Sequence, residues 1–354
     1  MRPDPANPAR MRHTRELREV RQPGQSETGA ALLTVLLLVV ILLVIAAVAL
    51  ERLTLASRMT RNIVSADQGR AYLLAAEQIA AQRLGDLLKE RSDRTTLAGG
   101  WLGTRQTMMV PGGAVTLQVR DSGNCFNLNS LVKKGEAANG KAASDLVARP
   151  EGIAQFSGLM RLLGIDRRTA DQVAISAADW IDSDSVPGNG GAEDDFYRQF
   201  KPAYRTANGL MADPSELRMV NAVTPELFQR VRPWLCTLPD IVLSPLNVNT
   251  LLPDQAVLLA MLAPEKISIA QARQLLAQRP LDGYGSLVNL FAQGPLAAAG
   301  LTEAVKEQVQ QKSRWFEVSF SADLGGDNVE ETVLYDAGQG PVRVVRRTWG
   351  KDGD

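Results

Sequence analysis

Histidine is nearly absent. The 354 residues contain one, His13, and it lies ahead of the longest apolar run. A product that begins after that region has none, which removes Ser-His-Asp and Cys-His catalysis and histidine-ligated metals. Cysteine is almost as scarce. Cys125 and Cys236 stand 111 positions apart, which makes no CxxC redox motif, and two are too few for a zinc site. They are two buried thiols or one disulfide, according to compartment. Charge of either sign is not in excess, with 39 basic and 39 acidic residues, so no polybasic field points to nucleic acid. Aromatics are only 5% of the chain, while Ala, Leu and Val are plentiful, which leans the composition toward helix. The length suggests two or three domains.

Proline is missing between Pro23 and Pro111, and the first part of that interval is the apolar run Ala30–Leu50. Its uncharged residues, at about 1.5 Å each, match a hydrocarbon core of about 30 Å. A cleaved signal peptide has a shorter apolar region that ends in a small-residue cut site, and neither is present. Six arginines and four acidic residues precede the run, and Glu51 and Arg52 follow it. The positive-inside rule therefore keeps the N-terminus cytoplasmic and sends the rest of the chain outward. Beyond the run, Leu55, Met59, Ile63, Leu73, Ile79, Leu84, Leu87 and Leu88 continue an apolar stripe, interrupted by Gly69 and Gly85. The spacing predicts one unbroken helix to about Arg91.

Alternating runs follow: "GAVTLQVRDSG" and "CFNLNSL" early, then "RWFEVSFSA", "VEETVLYDA" and "VRVVRRTW" near the C-terminus. Nearly two hundred residues separate the two halves of this sheet. They read as helices over Ile153–Leu163, Thr169–Asp182, Asp213–Val220, Pro225–Leu235, Pro253–Leu262, Ser268–Gln278, Ser286–Ala292 and Thr302–Lys312. Capping signals at Asp213, Thr224 and Thr302, and prolines at 253 and 264, mark several starts.

One stretch carries chemistry. "DWIDSDSVPGNGGAEDDFY" sets Asp179, Asp182, Asp184, Glu193, Asp194 and Asp195 around a flexible Gly/Asn/Pro loop. Carboxylates mixed with free backbone carbonyls suit a hard cation such as Ca²⁺, which takes six to eight oxygens; the spacing is not that of an EF-hand. The alternative is a solvated acidic loop. A hydrolase pair would need a cleft and separated pKa values, so no enzyme is expected.

A glycine directly before an apolar segment, one long helix, then a split sheet resembles the type IV pilin-like precursors. The resemblance implies cleavage by a prepilin peptidase between Gly29 and Ala30, with N-methylation of the new terminus. The family usually carries Glu as the fifth mature residue, to compensate the terminal amine of a neighbouring subunit; here Thr34 stands there. With "NLNSL", "ADWIDSD", "GAEDDFY", "LPD" and "LNVNT", the chain resembles the minor pseudopilin K family of type II secretion over most of its length.

That resemblance implies an α+β fold: a pilin-like N-terminal helix and antiparallel sheet with a large all-helical insertion of two SAM-like or helix-hairpin-like subdomains. The expected organisation is a leader over 1–29, the transmembrane and amphipathic helix over 30–95, and sheet over 96–131. Helical subdomains follow over 132–243 and 244–312, then the last part of the sheet and a tail over 313–354. It further implies a subunit of the Gram-negative inner membrane, single-pass, with its head in the periplasm. The subunit would stand in a tip complex with other minor pseudopilins, starting pseudopilus assembly and supporting export. Partners would meet the helix stripe after Glu51 and the sheet, and the inner-membrane assembly platform and membrane lipid are implied as well. One or two structural Ca²⁺ ions are implied, on Asp182, Asp184, Glu193 and Asp194, with Asp195 next and Asp179 facing its helix. An oxidising periplasm implies a Cys125–Cys236 disulfide.

A rival reading is a membrane-anchored helix-hairpin-helix protein for DNA binding or uptake, because "LNVNTLLPDQAVLLAML" opens like such a module. Its hairpin, "LAPEKISIAQA", lacks the glycines that offer amides to phosphate, and residues after Gly29 include 33 basic against 35 acidic. No nucleic-acid partner is expected.

The cut is directly testable. N-terminal sequencing of the mature protein is expected to begin at Ala30, and Gly29→Leu to leave a full-length precursor. A mature terminus beyond Leu50 would mean ordinary signal cleavage.

Overall fold

A computed structural model describes residues 25–135 and 145–350. His13 and most of the expected leader lie outside the described residues. Two compact units divide at Val64/Ser65. The described residues of the first are helical and, from Gly29 on, exposed, and its apolar window has a mean hydropathy of 3.4. Helix α1 runs from Gln25 to Glu90, which the absence of proline allows.

In the second unit, the last turns of α1 lie on a five-stranded antiparallel sheet. Strands β1 (Arg105–Val110) and β2 (Gly113–Asp121) form a hairpin over Pro111–Gly112, where Gly112 takes φ +87°, a conformation open to glycine. The chain then leaves the sheet. It makes β3 (Phe126–Asn127), a 3₁₀ turn at Leu128–Leu131, and the hairpin β4 (Val132–Lys134) and β5 (Leu146–Ala148). Helices α2 (Pro150–Leu162), α3 (Arg167–Ile181), α4 (Asp194–Tyr197) and α5 (Pro225–Val231) precede β6 (Leu235–Cys236). After β7 (Leu246–Asn247) come α6 (Ala256–Ala260), α7 (Ile269–Ala277), α8 (Leu287–Phe291), α9 (Gly294–Ala299), α10 (Glu303–Glu307) and β8 (Val309–Gln310). The sheet resumes with β9 (Trp315–Leu324), β10 (Asp327–Asp336) and β11 (Arg343–Trp349), in the order β1-β2-β9-β10-β11.

Two cores result. On the sheet, Leu73, Ala76, Ala80 and Leu84 of α1 pack on Val115, Leu117, Val119, Phe316, Val318 and Phe320. Gly69 passes so near β10 that a Cβ there would meet Val329 Cγ2 at 2.9 Å. The insertion has its own larger core around Phe126, Phe156, Leu159 and Met160, with the two phenylalanine rings stacked at 4.8 Å.

Several expectations change. Ile79 points outward, and the helix instead buries Glu77 among the apolar contacts. Leu55, Met59 and Ile63 are exposed. "CFNLNSL" is a strand for two residues only, because Asn127 accepts from its own Asn129 N–H and turns the chain. The segment Thr302–Lys312 ends its helix at Glu307, since Val309–Gln310 pairs in parallel with Leu246–Asn247. The region Asp213–Val220 is 3₁₀ rather than α, although its Asp213/Glu216 capping box forms as read. Pro264 lies four residues ahead of the Ser268 N-cap of α7 and packs against Gly158.

The same asparagine device occurs twice. Asn129 donates to Met211 O at 3.0 Å and accepts from Met211 N at 2.8 Å. Asn249 donates to Tyr284 O at 3.2 Å and accepts from Tyr284 N at 2.6 Å. In each case an asparagine two positions earlier, Asn127 or Asn247, caps the turn and belongs to a two-residue parallel ladder, β3–β6 or β7–β8.

Cys125 and Cys236 form a disulfide, with Cα atoms 5.8 Å apart, beside the β3–β6 ladder. It closes a loop of 111 residues, which contributes about 4–5 kcal/mol on the chain-entropy model. Replacing both cysteines by serine is expected to lower the urea-unfolding free energy by that order. Coincident curves for wild type and double mutant would show that the bond adds no stability.

Candidate functional site

The acidic loop is built from the end of α3. Asp166 caps the helix start by accepting from Thr169 N, and Asp182 stands at its C-cap in an extended conformation. One turn earlier, Asp179 is buried and gathers the loop around itself. Its carboxylate accepts from Gly188 N at 3.1 Å and Ala192 N at 2.9 Å. A side chain at Gly191 would overlap that carboxylate, so glycine is needed where the loop passes. Behind it, the Trp180 ring meets Tyr197 edge-on at 5.3 Å.

This wrapping brings three of the expected carboxylates together. Asp182, Asp184 and Glu193 each offer an oxygen within 4.8 Å of the others. Asp182 and Glu193 are buried; Asp184 is exposed and accepts from Val186 N at 2.7 Å. Asp182 Oδ1 and both Glu193 oxygens are buried with no hydrogen bond of ordinary geometry, the nearby Thr206 hydroxyl being turned to Asp194. Burial first, and then Asp184 and Asp179, push Asp182 up to about 7. Burial, followed by Asp182 and Asp179, does the same for Glu193, also to about 7. When ionised, three carboxyls held this close repel one another, and burial makes that repulsion more costly.

Asp194 and Asp195 do not join them. Asp194 accepts from Thr206 N, Thr206 Oγ1 and Arg198, and Asp195 pairs with Arg198 at 3.0 Å. Against partial burial, the Thr206 and Arg198 hydrogen bonds hold Asp194 below the usual carboxylate range. Asp179 is the member whose part sequence reasoning understated: it shapes the loop. The available signal was glycine at positions 188 and 191, close after a helix-terminal acid.

The other sequence-derived positions lie elsewhere. Gly29 and Ala30 are inside α1, and Thr34 Oγ1 donates to Ala31 O at 2.8 Å, so its hydroxyl is satisfied within the helix. In the α6–α7 hairpin, Lys266 donates to Ala299 O at 2.8 Å and Glu265 pairs with Arg167 at 2.9 Å. The hairpin's lysine is thus engaged within the fold.

Among the described residues one helix is apolar and long enough to span a bilayer, and its later turns pack on an antiparallel sheet, the arrangement of a pilin-like subunit. Residues 124–240 and 246–311 each match a family model described as type II secretion system (T2SS), protein K. The type II secretion system protein K of Pectobacterium carotovorum subsp. carotovorum is 33% identical over 325 residues, covering 92% of this chain and 97% of that one. The protein K of Klebsiella pneumoniae is 32% identical over 324 residues, with the same coverage. A chain of the GspK-GspI-GspJ complex from the enterotoxigenic Escherichia coli type 2 secretion system superposes with a TM-score of 0.70 at 28% identity. The match covers 83% of this chain and 99% of that one. The chain belongs to the type II secretion system protein K family and is a minor pseudopilin of that system.

Proposed function

We propose that this chain stands at the tip of the pseudopilus with other minor pseudopilins, starts its assembly, and so supports protein export across the outer membrane. The observation that carries the reading is the likeness, over nearly the whole of that chain, to a member of the GspK-GspI-GspJ complex. The fold supports it as well. An insertion larger than the sheet would obstruct a subunit stacked above it, and Thr34 leaves no carboxylate for the amine of a neighbour. The role is structural, without catalysis. In this reading the chain is cut and methylated by the prepilin peptidase and held by lipid in the inner membrane. There it meets the assembly platform, with its head in the periplasm. Quantitative mass spectrometry of purified filaments is expected to find it far below the major subunit. Equal stoichiometry along the filament would overturn the tip position.

The acidic loop is read as a structural Ca²⁺ site. Asp182, Asp184 and Glu193 supply the acidic oxygens, and the loop supplies carbonyls; Asp194 and Asp195 are left to Arg198. What supports the reading is the set of buried oxygens without donors at Asp182 and Glu193. Binding energy would then become folding energy for the loop, about 2.7 kcal/mol at a free concentration a hundredfold above Kd. The full-length protein in detergent is expected to melt lower in EGTA than in excess calcium. Asp184→Ala and Glu193→Ala are expected to lower the melting temperature and abolish the chelator's effect. Identical melting of the wild type in both conditions would overturn the calcium reading.

A further inference from the structure

A second buried acidic group lies away from the loop, where α1 rests on the sheet. Glu77 of α1 and Glu331 of β10 are 0% and 1% exposed. A single guanidinium serves both. Arg347 of β11 grips Glu77 with Nε and Nη2 at 2.6 Å each, and its Nε lies 2.7 Å from Glu331 Oε1. The Nε–H is directed to Glu77, so neither Glu331 oxygen accepts a hydrogen bond of ordinary geometry from it. The one Nε thus lies against an oxygen of each carboxyl, Glu77 Oε1 and Glu331 Oε1, and brings the two acids together.

Two ionised carboxylates against one guanidinium would leave a net negative charge in an apolar interface, which is costly. A proton shared by the two carboxyls removes it. We propose that Glu77, Glu331 and Arg347 form a proton-linked latch between the pilin helix and the sheet, closed when Glu331 carries a proton that it donates to Glu77.

Among the described residues, no second basic side chain is paired with either acid. From β10, the Tyr335 hydroxyl donates to the Glu77 backbone carbonyl at 3.1 Å. From α1, Arg70 lies over the Trp349 ring at 5.9 Å, the residue opposite Glu331 in register. β9 places Phe320 beside Glu331, and β2 contributes Leu117 and Val119 to the same core. Burial, then the neighbouring Glu77, raises Glu331 far above an ordinary glutamate. Burial opposes the ionisation of Glu77, but the hydrogen bonds from Arg347 and Glu331 outweigh it and carry Glu77 below its usual value.

The sign of the effect follows. A group raised in the folded state adds stability that is fully present below its unfolded value of about 4.3. That stability is drawn down as pH rises to the folded value. The latch therefore weakens with increasing pH. Glu331→Gln keeps the shape and the hydrogen-bond donor but has no proton to lose.

The test is the melting temperature of the full-length protein in detergent, wild type against Glu331→Gln, between about pH 5.5 and about pH 8.5. The comparison cancels the acidic loop, which both proteins share. The variant is expected to gain on the wild type as pH rises, by about 5 °C or more across the interval. The infrared difference spectrum at neutral pH is expected to show a protonated-carboxyl band in the wild type that the variant lacks. A constant offset at every pH, no such band, or a variant that fails to fold at neutral pH would each overturn the latch. The last result would show that the site needs the anion.

Discussion

The fold depends on the buried carboxylate of Asp121, at the point where the chain leaves the sheet and later returns. Strands β2 and β9 are adjacent, with Asp121 opposite Phe316 in register, yet the whole helical insertion lies between them in sequence. Its two ends must therefore meet. Asp121 accepts from the Ser313 hydroxyl, from Thr250 Oγ1 at 2.5 Å and from Gly123 N at 3.1 Å. It thus binds the exit, the middle and the return of the insertion to one group. Asn247 adds to the same junction, donating to Thr95 O and Ser313 Oγ. Closing so long a loop costs only slowly more entropy with length. Leaving any one of these buried groups unpaired would cost more.

From that junction the insertion is organised by hydrogen bonds to asparagine side chains rather than by long ladders. The parallel pairs β3–β6 and β7–β8 are two residues each, too short to hold distant segments by themselves. Asn129 and Asn249 compensate by making both a donor and an acceptor contact to one backbone position far along the chain. An aspartate there would lack the donor and a leucine would lack both. The disulfide reinforces the first of these pairings, and no covalent bond is present at the second. Arg314, at the return to the sheet, then holds Asp336 and Asp240 together, so the last strands and the insertion share a contact at the rim as well as at the centre.

Legibility in the sequence followed range. The unbroken α1, the alternating strands β2, β9, β10 and β11, and the caps at Asp213, Thr224 and Thr302 are local, and local pattern was sufficient for them. The strand β1 was not read, because "RQTMMV" is mostly exposed and does not alternate cleanly. The two-residue ladders were not read either, since their partners lie more than sixty residues away and leave no periodic trace. At the acidic loop, composition pointed to the right residues but could not divide them. Whether an acid meets Asp182 or Arg198 depends on how Asp179 wraps the loop. Glu77 occupies a place on the inward face of α1 between Leu73, Ala76 and Ala80. Spacing alone would fill that place with an apolar residue, and only the return of β11 with Arg347 makes an acid tolerable there.

Buried acids thus occur at several points in this protein, and the fold answers each differently. Asp121 is raised by burial but receives hydroxyls and an amide, so its cost is met by neutral donors. Asp336 takes two guanidinium groups, Arg314 and Arg343, and is held well below the usual range by the first of them. Glu77 and Glu331 have one guanidinium between two carboxyls, which balances only if a proton is retained. At Asp182, Asp184 and Glu193, no basic side chain is paired with any of the three among the described residues. Arg198, the nearest candidate in sequence, is spent on Asp194 and Asp195. The nearby arginines, Arg198 and Arg205, both turn to Asp194 and away from the most crowded carboxylates, so the divalent cation proposed above is a partner that would match oxygen ligands at that spacing.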